Sequence, residues 1–267
     1  MTDDWKRRSV LAGVLGAGGA IAWSGRATGQ EPAAGRGLSL LQERWVGIVN
    51  HPERATSYSF EEGNQCIATA EAIEGPFYGD RRLPRRSDIR EGREGVMLEL
   101  GLRIVSADTC RPVSGAELEI WHCDAVGLYS RFAKNDPLVW PVPGAKVPPS
   151  DEETFLRGCQ CTDEQGFARF TTIVPGWYTP RAPHIHGKVW TGGKSVFVFQ
   201  MYLPDSVNRR VALLPPYNRR PPSPYTNYND SVIERSGGAN GSFLKVTPTL
   251  AGYRGTLTVG LPSTAST

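Results

Sequence analysis

The chain has 267 residues, of which 39% are hydrophobic and 21% charged, and a formal net charge of +3 at pH 7. Its lysines and arginines are dispersed rather than gathered in a long basic run, which excludes a typical nucleic-acid partner. Five cysteines are present, none with CxxC spacing.

At the N-terminus, Lys6-Arg7-Arg8-Ser9 directly precedes a Gly- and Ala-rich apolar stretch from Val10 to Trp23. Fourteen mildly apolar residues are too few to cross a hydrocarbon core of roughly 30 Å, so the stretch reads as a cleaved targeting peptide with no stable membrane span. The paired arginines resemble a bacterial twin-arginine signal, which implies the twin-arginine export machinery as a partner and a periplasmic or extracellular location. Taking residues 1–29 as this leader removes Lys6, Arg7, Arg8, Arg26, Asp3 and Asp4, and the net charge falls to +1. The remaining length suits one domain with a proper core. Residues 30–65 read as an irregular arm, 66–262 as the domain and 263–267 as a tail.

From residue 98 onward the pattern is that of strands. Leu98, Leu100, Leu102 and Ile104 alternate with Glu99, Gly101 and Arg103, the period-two signature of a half-buried strand. Similar runs cover Glu117–Cys123, Thr154–Cys161, Phe167–Val174, His184–Trp190, Ser195–Leu203, Ser242–Thr247 and Tyr253–Gly260. Asp163–Gly166 and Thr191–Lys194 have the composition of hairpin turns. No long helical periodicity is present, so the expected fold class is all-β: an antiparallel β-sandwich with long irregular connecting loops and little helix. The Pro/Arg/Tyr-rich run 208–228 reads as one such loop, of a length that usually carries function.

Cys110 and Cys123 flank a predicted strand and are the first choice for a disulfide, and the odd number of cysteines leaves at least one thiol free. Cys159 and Cys161 share a strand face, which suits packing or a soft metal.

Two of the four histidines form His184-Ile185-His186 on a predicted strand. Their rings project from one face about 7 Å apart at Cβ, so one ion can bridge them. Pro and Gly around Tyr178 allow that phenol to fold back towards the pair. A tyrosine is an unusual zinc ligand, and no carboxylate stands where a two-histidine iron(II) site needs one. Phenolate suits a harder, more highly charged ion. His122 follows Trp121 and reads as a structural histidine, while His51 lies in the irregular arm.

Cys159-Gln-Cys-Thr-Asp163 through Pro175-Gly-Trp-Tyr178, followed by Arg181-Ala-Pro-His184-Ile-His186, resembles the signature of the intradiol ring-cleavage dioxygenases. Trp121-His-Cys-Asp-Ala-Val-Gly127-Leu-Tyr129 resembles the segment bearing that family's first tyrosine ligand. Glu74-Gly-Pro-Phe-Tyr78 and Gln200-Met-Tyr202 are similar to two further family motifs.

The resemblance implies one Fe(3+) per chain, held by Tyr129, Tyr178, His184 and His186. It implies that a catechol-type diol and O2 are the reactants and that a cis,cis-muconate-type diacid is the product. Tyr178 would act as ligand and base, Arg181 as a cation beside the ring, and Gln200 as a polar group behind the ligands. The helical dimer-forming segment common among catechol and hydroxyquinol enzymes has no match in residues 30–65, which leaves a different homo-oligomer open. No charged residue is assignable to a substrate carboxylate, so the particular catechol stays open. The alternative reading is a secreted β-sandwich binding module with a structural or vestigial metal site.

Overall fold

The structure is a computed structural model that describes residues 66–79, 82–139, 141 and 144–262. The leader, the arm, His51 and the tail lie outside the described residues. Eight strands are formed: β1 (Met97–Ser106), β2 (Glu117–Trp121), β3 (Arg157–Cys161), β4 (Phe167–Ile173), β5 (His184–Thr191), β6 (Lys194–Tyr202), β7 (Lys245–Pro248) and β8 (Gly252–Leu261). They make two four-stranded sheets, in the orders β4-β1-β8-β7 and β3-β2-β5-β6.

The expected sandwich is therefore present, and period two builds its core. Leu98, Leu100, Leu102 and Ile104 of β1 are fully buried, as are Leu118 and Ile120 of β2 and Ile185 and Val189 of β5. These side chains form one cluster with Phe197, Phe199 and Met201 of β6. Complete burial of a leucine or isoleucine side chain contributes about 1.5–3 kcal/mol, enough to commit each strand to one face.

Three expectations are corrected. The turn at Asp163–Gly166 does not close a hairpin, because β3 pairs with β2 while β4 pairs with β1. The chain reverses there, with Gly166 N–H donating to the Asp163 carbonyl (2.9 Å), yet the reversal hands it from one sheet to the other. The sandwich is also not wholly antiparallel, since β1 and β8 run parallel along their full length. Finally, the long loop contains α1 (Asp205–Val211) and a 3-10 turn at Tyr217–Arg219. Val207 and Val211, four residues apart, give α1 its buried side.

The disulfide joins Cys66 to Cys110, not Cys110 to Cys123. The parallel pairing of β1 and β8 puts Ser106 beside Leu261, and Ala68 bridges to Gly260 at the same edge. Cys110, whose N–H donates to the Ser106 carbonyl, thus lies next to the entering chain. Cys123 is instead buried, with its thiol donating to the Gly176 carbonyl (3.4 Å). The bridge closes a loop spanning 44 positions, for which loop-closure entropy gives a stabilisation of about 4 kcal/mol. Urea unfolding with and without reductant is expected to show a loss of about 2–4 kcal/mol on reduction, and an unchanged midpoint would show that the bridge contributes little.

Candidate metal centre

The outward-facing side of the β3-β2-β5-β6 sheet carries polar and aromatic side chains. Pairing aligns Arg157, Trp121, His186 and Gln200 in one row across the four strands. His184 faces Tyr202 in the next row. Because β5 alternates, Ile185 between the two histidines points into the core while both imidazoles share the outer face.

The two imidazoles stand inclined at 72°, with Nε2 atoms 3.1 Å apart. Nδ1 of His184 contacts the Ala182 carbonyl at 2.6 Å. A carbonyl only accepts, so that nitrogen carries the proton and Nε2 keeps its lone pair, the tautomer a metal ligand requires. The His186 ring stacks flat on Trp121, with centroids 4.7 Å apart and planes inclined by 7°. Burial, followed by the Arg181 charge for His184 and by His184 and Arg181 for His186, holds both rings well below the ordinary histidine range. Both are therefore neutral and ligand-competent.

Tyr178 reaches the pair through a tight turn, in which Arg181 N–H donates to the Tyr178 carbonyl (2.7 Å). Its hydroxyl lies 3.3 Å from His184 Nε2. Tyr129 arrives from the other side on the loop after β2. There Asp124 accepts from Val126 N–H and Leu128 N–H, and Gly127 sits at φ +90°. A Cβ at Gly127 would lie 2.3 Å from the Trp177 carbonyl, so only glycine lets the Tyr129 loop pack on the Tyr178 segment. The two phenol rings stand edge to face at 5.5 Å.

All four rings are at most 3% exposed. The buried Tyr129 hydroxyl has no hydrogen bond of ordinary geometry among the described residues. Burial pushes Tyr178 up to about 12 and Tyr129 well above the ordinary phenol range, and a multivalent cation close by would favour their phenolate forms. No group of three His, Cys, Asp or Glu side chains among the described residues is placed to hold a metal. The set present, two lone-pair imidazoles and two phenols, fits a hard trivalent ion.

Arg181 stands beside the centre, its Nη1 3.4 Å from His184 Nε2. It is 1% exposed and pairs with Asp230 through Nε at 2.9 and 3.1 Å. Burial alone would lower the guanidinium pKa, but Tyr178 and Asp230 outweigh it and hold Arg181 above its ordinary value. Gln200 accepts from Arg181 Nη2 (2.6 Å) and Tyr202 Oη (2.8 Å) and donates to the Ile73 carbonyl. It is joined to the centre through Arg181 and lies beside His186 in the strand register. Phe77 stacks on Tyr129 at 4.9 Å and stands edge-on to Tyr178 at 5.6 Å. A small recess beside the two tyrosines is lined by Phe77, Phe132, Pro137, Asp136 and Val139.

Other sequence candidates lie apart. His122 is buried between the Cys123 carbonyl and the Thr172 hydroxyl, a structural arrangement. Trp177 packs under Arg220, with its indole donating to the Pro221 carbonyl. Cys159 and Cys161 are free thiols. Asp230 escaped the sequence reading, although Asp230-Ser231 before Val232-Ile233 has the form of a helix N-cap. It caps α2 (Ser231–Arg235) by accepting from Val232 and Ile233 N–H.

Fold and site together define a β-sandwich protein with a buried two-histidine, two-tyrosine centre. A family model described as Dioxygenase matches residues 73–207. An intradiol ring-cleavage dioxygenase from Tetranychus urticae superposes with a TM-score of 0.67 at 32% identity, covering 74% of this chain and 95% of that one. The chain belongs to the intradiol ring-cleavage dioxygenase family. Catechol 1,2-dioxygenase of Candida albicans is 28% identical over 192 residues, which are 64% of this chain and 53% of that protein. The corresponding enzyme of Acinetobacter baylyi is 32% identical over 120 residues, 42% of this chain and 32% of that protein. The chain thus spans about half or less of the length of the curated relatives it matches.

Proposed function

We propose that the chain is an exported, iron(III)-dependent enzyme that opens a catechol-type ring between its two hydroxyls with O2 and releases a cis,cis-muconate-type diacid. The observation that carries this reading is the meeting of two buried imidazoles on one sheet face, their Nε2 atoms 3.1 Å apart, with two buried phenols brought to them by loops. Tyr129, Tyr178, His184 and His186 would hold the iron. Bound there, it would supply Lewis-acid chemistry to the two ring hydroxyls and electronic activation of the ring towards O2.

The protein's own groups do the rest. The Ala182 carbonyl and the Trp121 ring hold the two imidazoles in orientation. Tyr178 Oη, as the phenolate, takes a proton from a ring hydroxyl and becomes a neutral phenol. Arg181, fixed by Asp230 and Gln200, places a permanent positive charge beside the negative charge that develops on the ring. Phe77 and Phe132, both buried, wall the recess. Export is supported by Arg7-Arg8 and by the Cys66–Cys110 bridge, which persists in an oxidising compartment.

Catechol, the substrate in the names of the Candida and Acinetobacter relatives, is the first ring to assay, beside protocatechuate and hydroxyquinol. The iron(III)-loaded protein is expected to absorb in the visible through its phenolate ligands and to consume O2 while forming a ring-opened diacid. A protein that binds no iron(III), or that binds it and consumes no O2 with any of the three, would sink the proposal.

A further inference from the structure

Arg157 is fully buried, and its hydrogen-bond partners among the described residues are a hydroxyl and three backbone carbonyls, with no carboxylate. Nε donates to Ser130 Oγ (2.8 Å), Nη1 to the Tyr78 carbonyl (2.9 Å), and Nη2 to the Phe77 and Ser130 carbonyls (2.7 and 3.0 Å). The guanidinium lies 5.8 Å from the centre of the Tyr129 ring. Ser130 Oγ–H in turn donates to the Phe155 carbonyl (2.7 Å).

The acceptors belong to two separate segments. Phe77 and Tyr78 precede β1, and Tyr129 and Ser130 follow β2; neither segment is part of a sheet. Their shared anchor is a strand residue, paired in register with Trp121 and so in the same row as His186. The stacking of Phe77 on Tyr129 depends on both segments being held at once. Burying a cation without a carboxylate partner costs several kcal/mol, a cost core packing alone does not explain.

We propose that Arg157 is a positioning residue for the metal centre. It ties the Phe77 and Tyr129 segments into one unit and thereby fixes the Tyr129 phenol against the two histidines. The inference rests on the metal reading given above. Lysine is no substitute, because one ammonium cannot reach four acceptors laid out for a planar fork.

The test compares wild type with Arg157→Lys, Arg157→Met and Ser130→Ala, the last removing the Nε acceptor and the Oγ–H bond to Phe155 while leaving the three carbonyl acceptors of Arg157 in place. For each folded protein, iron(III) affinity of the metal-free form, the phenolate-to-iron absorption band, and kcat and KM for catechol are measured. Both Arg157 variants are expected to bind iron(III) about 10–100-fold more weakly, the range seen when an outer partner of a metal ligand is lost. They should also shift the band and lower kcat more than they raise KM. Ser130→Ala should move affinity and band in the same direction by less. A folded Arg157→Lys with wild-type affinity and band overturns the proposal. Should neither Arg157 variant fold, a folded Ser130→Ala indistinguishable from wild type overturns it. Wild-type protein that binds no iron(III) overturns the metal reading itself, which keeps the two failures apart.

Discussion

Asp230→Ala is expected to remove about 3–5 kcal/mol of folding stability, the cost of leaving a buried charge without its partner. Asp230 is 1% exposed and serves three structures at once. It neutralises Arg181, accepts from Ala182 N–H at 2.9 Å in the turn before His184, and caps α2 through Val232 and Ile233 N–H. Loss of the cap alone costs about 0.5–2 kcal/mol. Asp230→Asn keeps an acceptor for the cap but leaves Arg181 uncompensated, so its loss should fall between wild type and alanine. Urea unfolding of the three proteins measures this. If alanine and asparagine lose equal stability, the charge and not the cap carries the effect; if neither loses more than 1 kcal/mol, the ion pair is not the buried one described.

The second large effect concerns the phenols, which are not equivalent. Tyr178→Phe removes the proposed proton acceptor and is expected to lower kcat by roughly 10²–10⁴-fold, the usual worth of a positioned base. Tyr129→Phe removes a ligand but no proton acceptor, and should chiefly weaken iron(III) binding. Each change should also weaken the visible band, because each removes one phenolate. Titrating the metal-free proteins with iron(III), then measuring turnover at saturating metal, separates the two roles. Equal turnover by Tyr178→Phe and wild type under those conditions would reject Tyr178 as the base. An unchanged spectrum in either variant would reject that tyrosine as a ligand.

Most of the strand map was legible because β1, β2 and β5 must choose a face, and alternation in the sequence records the choice. The histidine pair was legible for the same reason. Tyr129 and Tyr178 were nominated by motif rather than by period, since a loop has none. The exchange of the chain between sheets after Cys161 was not legible: a turn rich in Asp and Gly looks the same whether the next strand pairs with its neighbour or crosses to the other layer. The disulfide was misread because connectivity depends on which strand ends come together, and the parallel β1–β8 pair brings Cys66 in from 44 positions away. Arg157, and the ion pair of Asp230, were invisible for a related reason. The partners of Arg157 lie 27 to 80 positions away and Arg181 lies 49 from Asp230, and a charged residue in a strand or loop does not announce that it is buried; only the cap role of Asp230 left a local trace.

A one-residue slip of β5 would carry both imidazoles into the leucine core and turn Ile185 and Val189 outward. The tolerance for such an error is smallest at Gly187, where a Cβ would lie 2.3 Å from Phe199 Cζ. Packing on the inner face therefore proofreads the imidazole spacing on the outer one. The two histidines are brought to their separation by folding of the apolar layer itself.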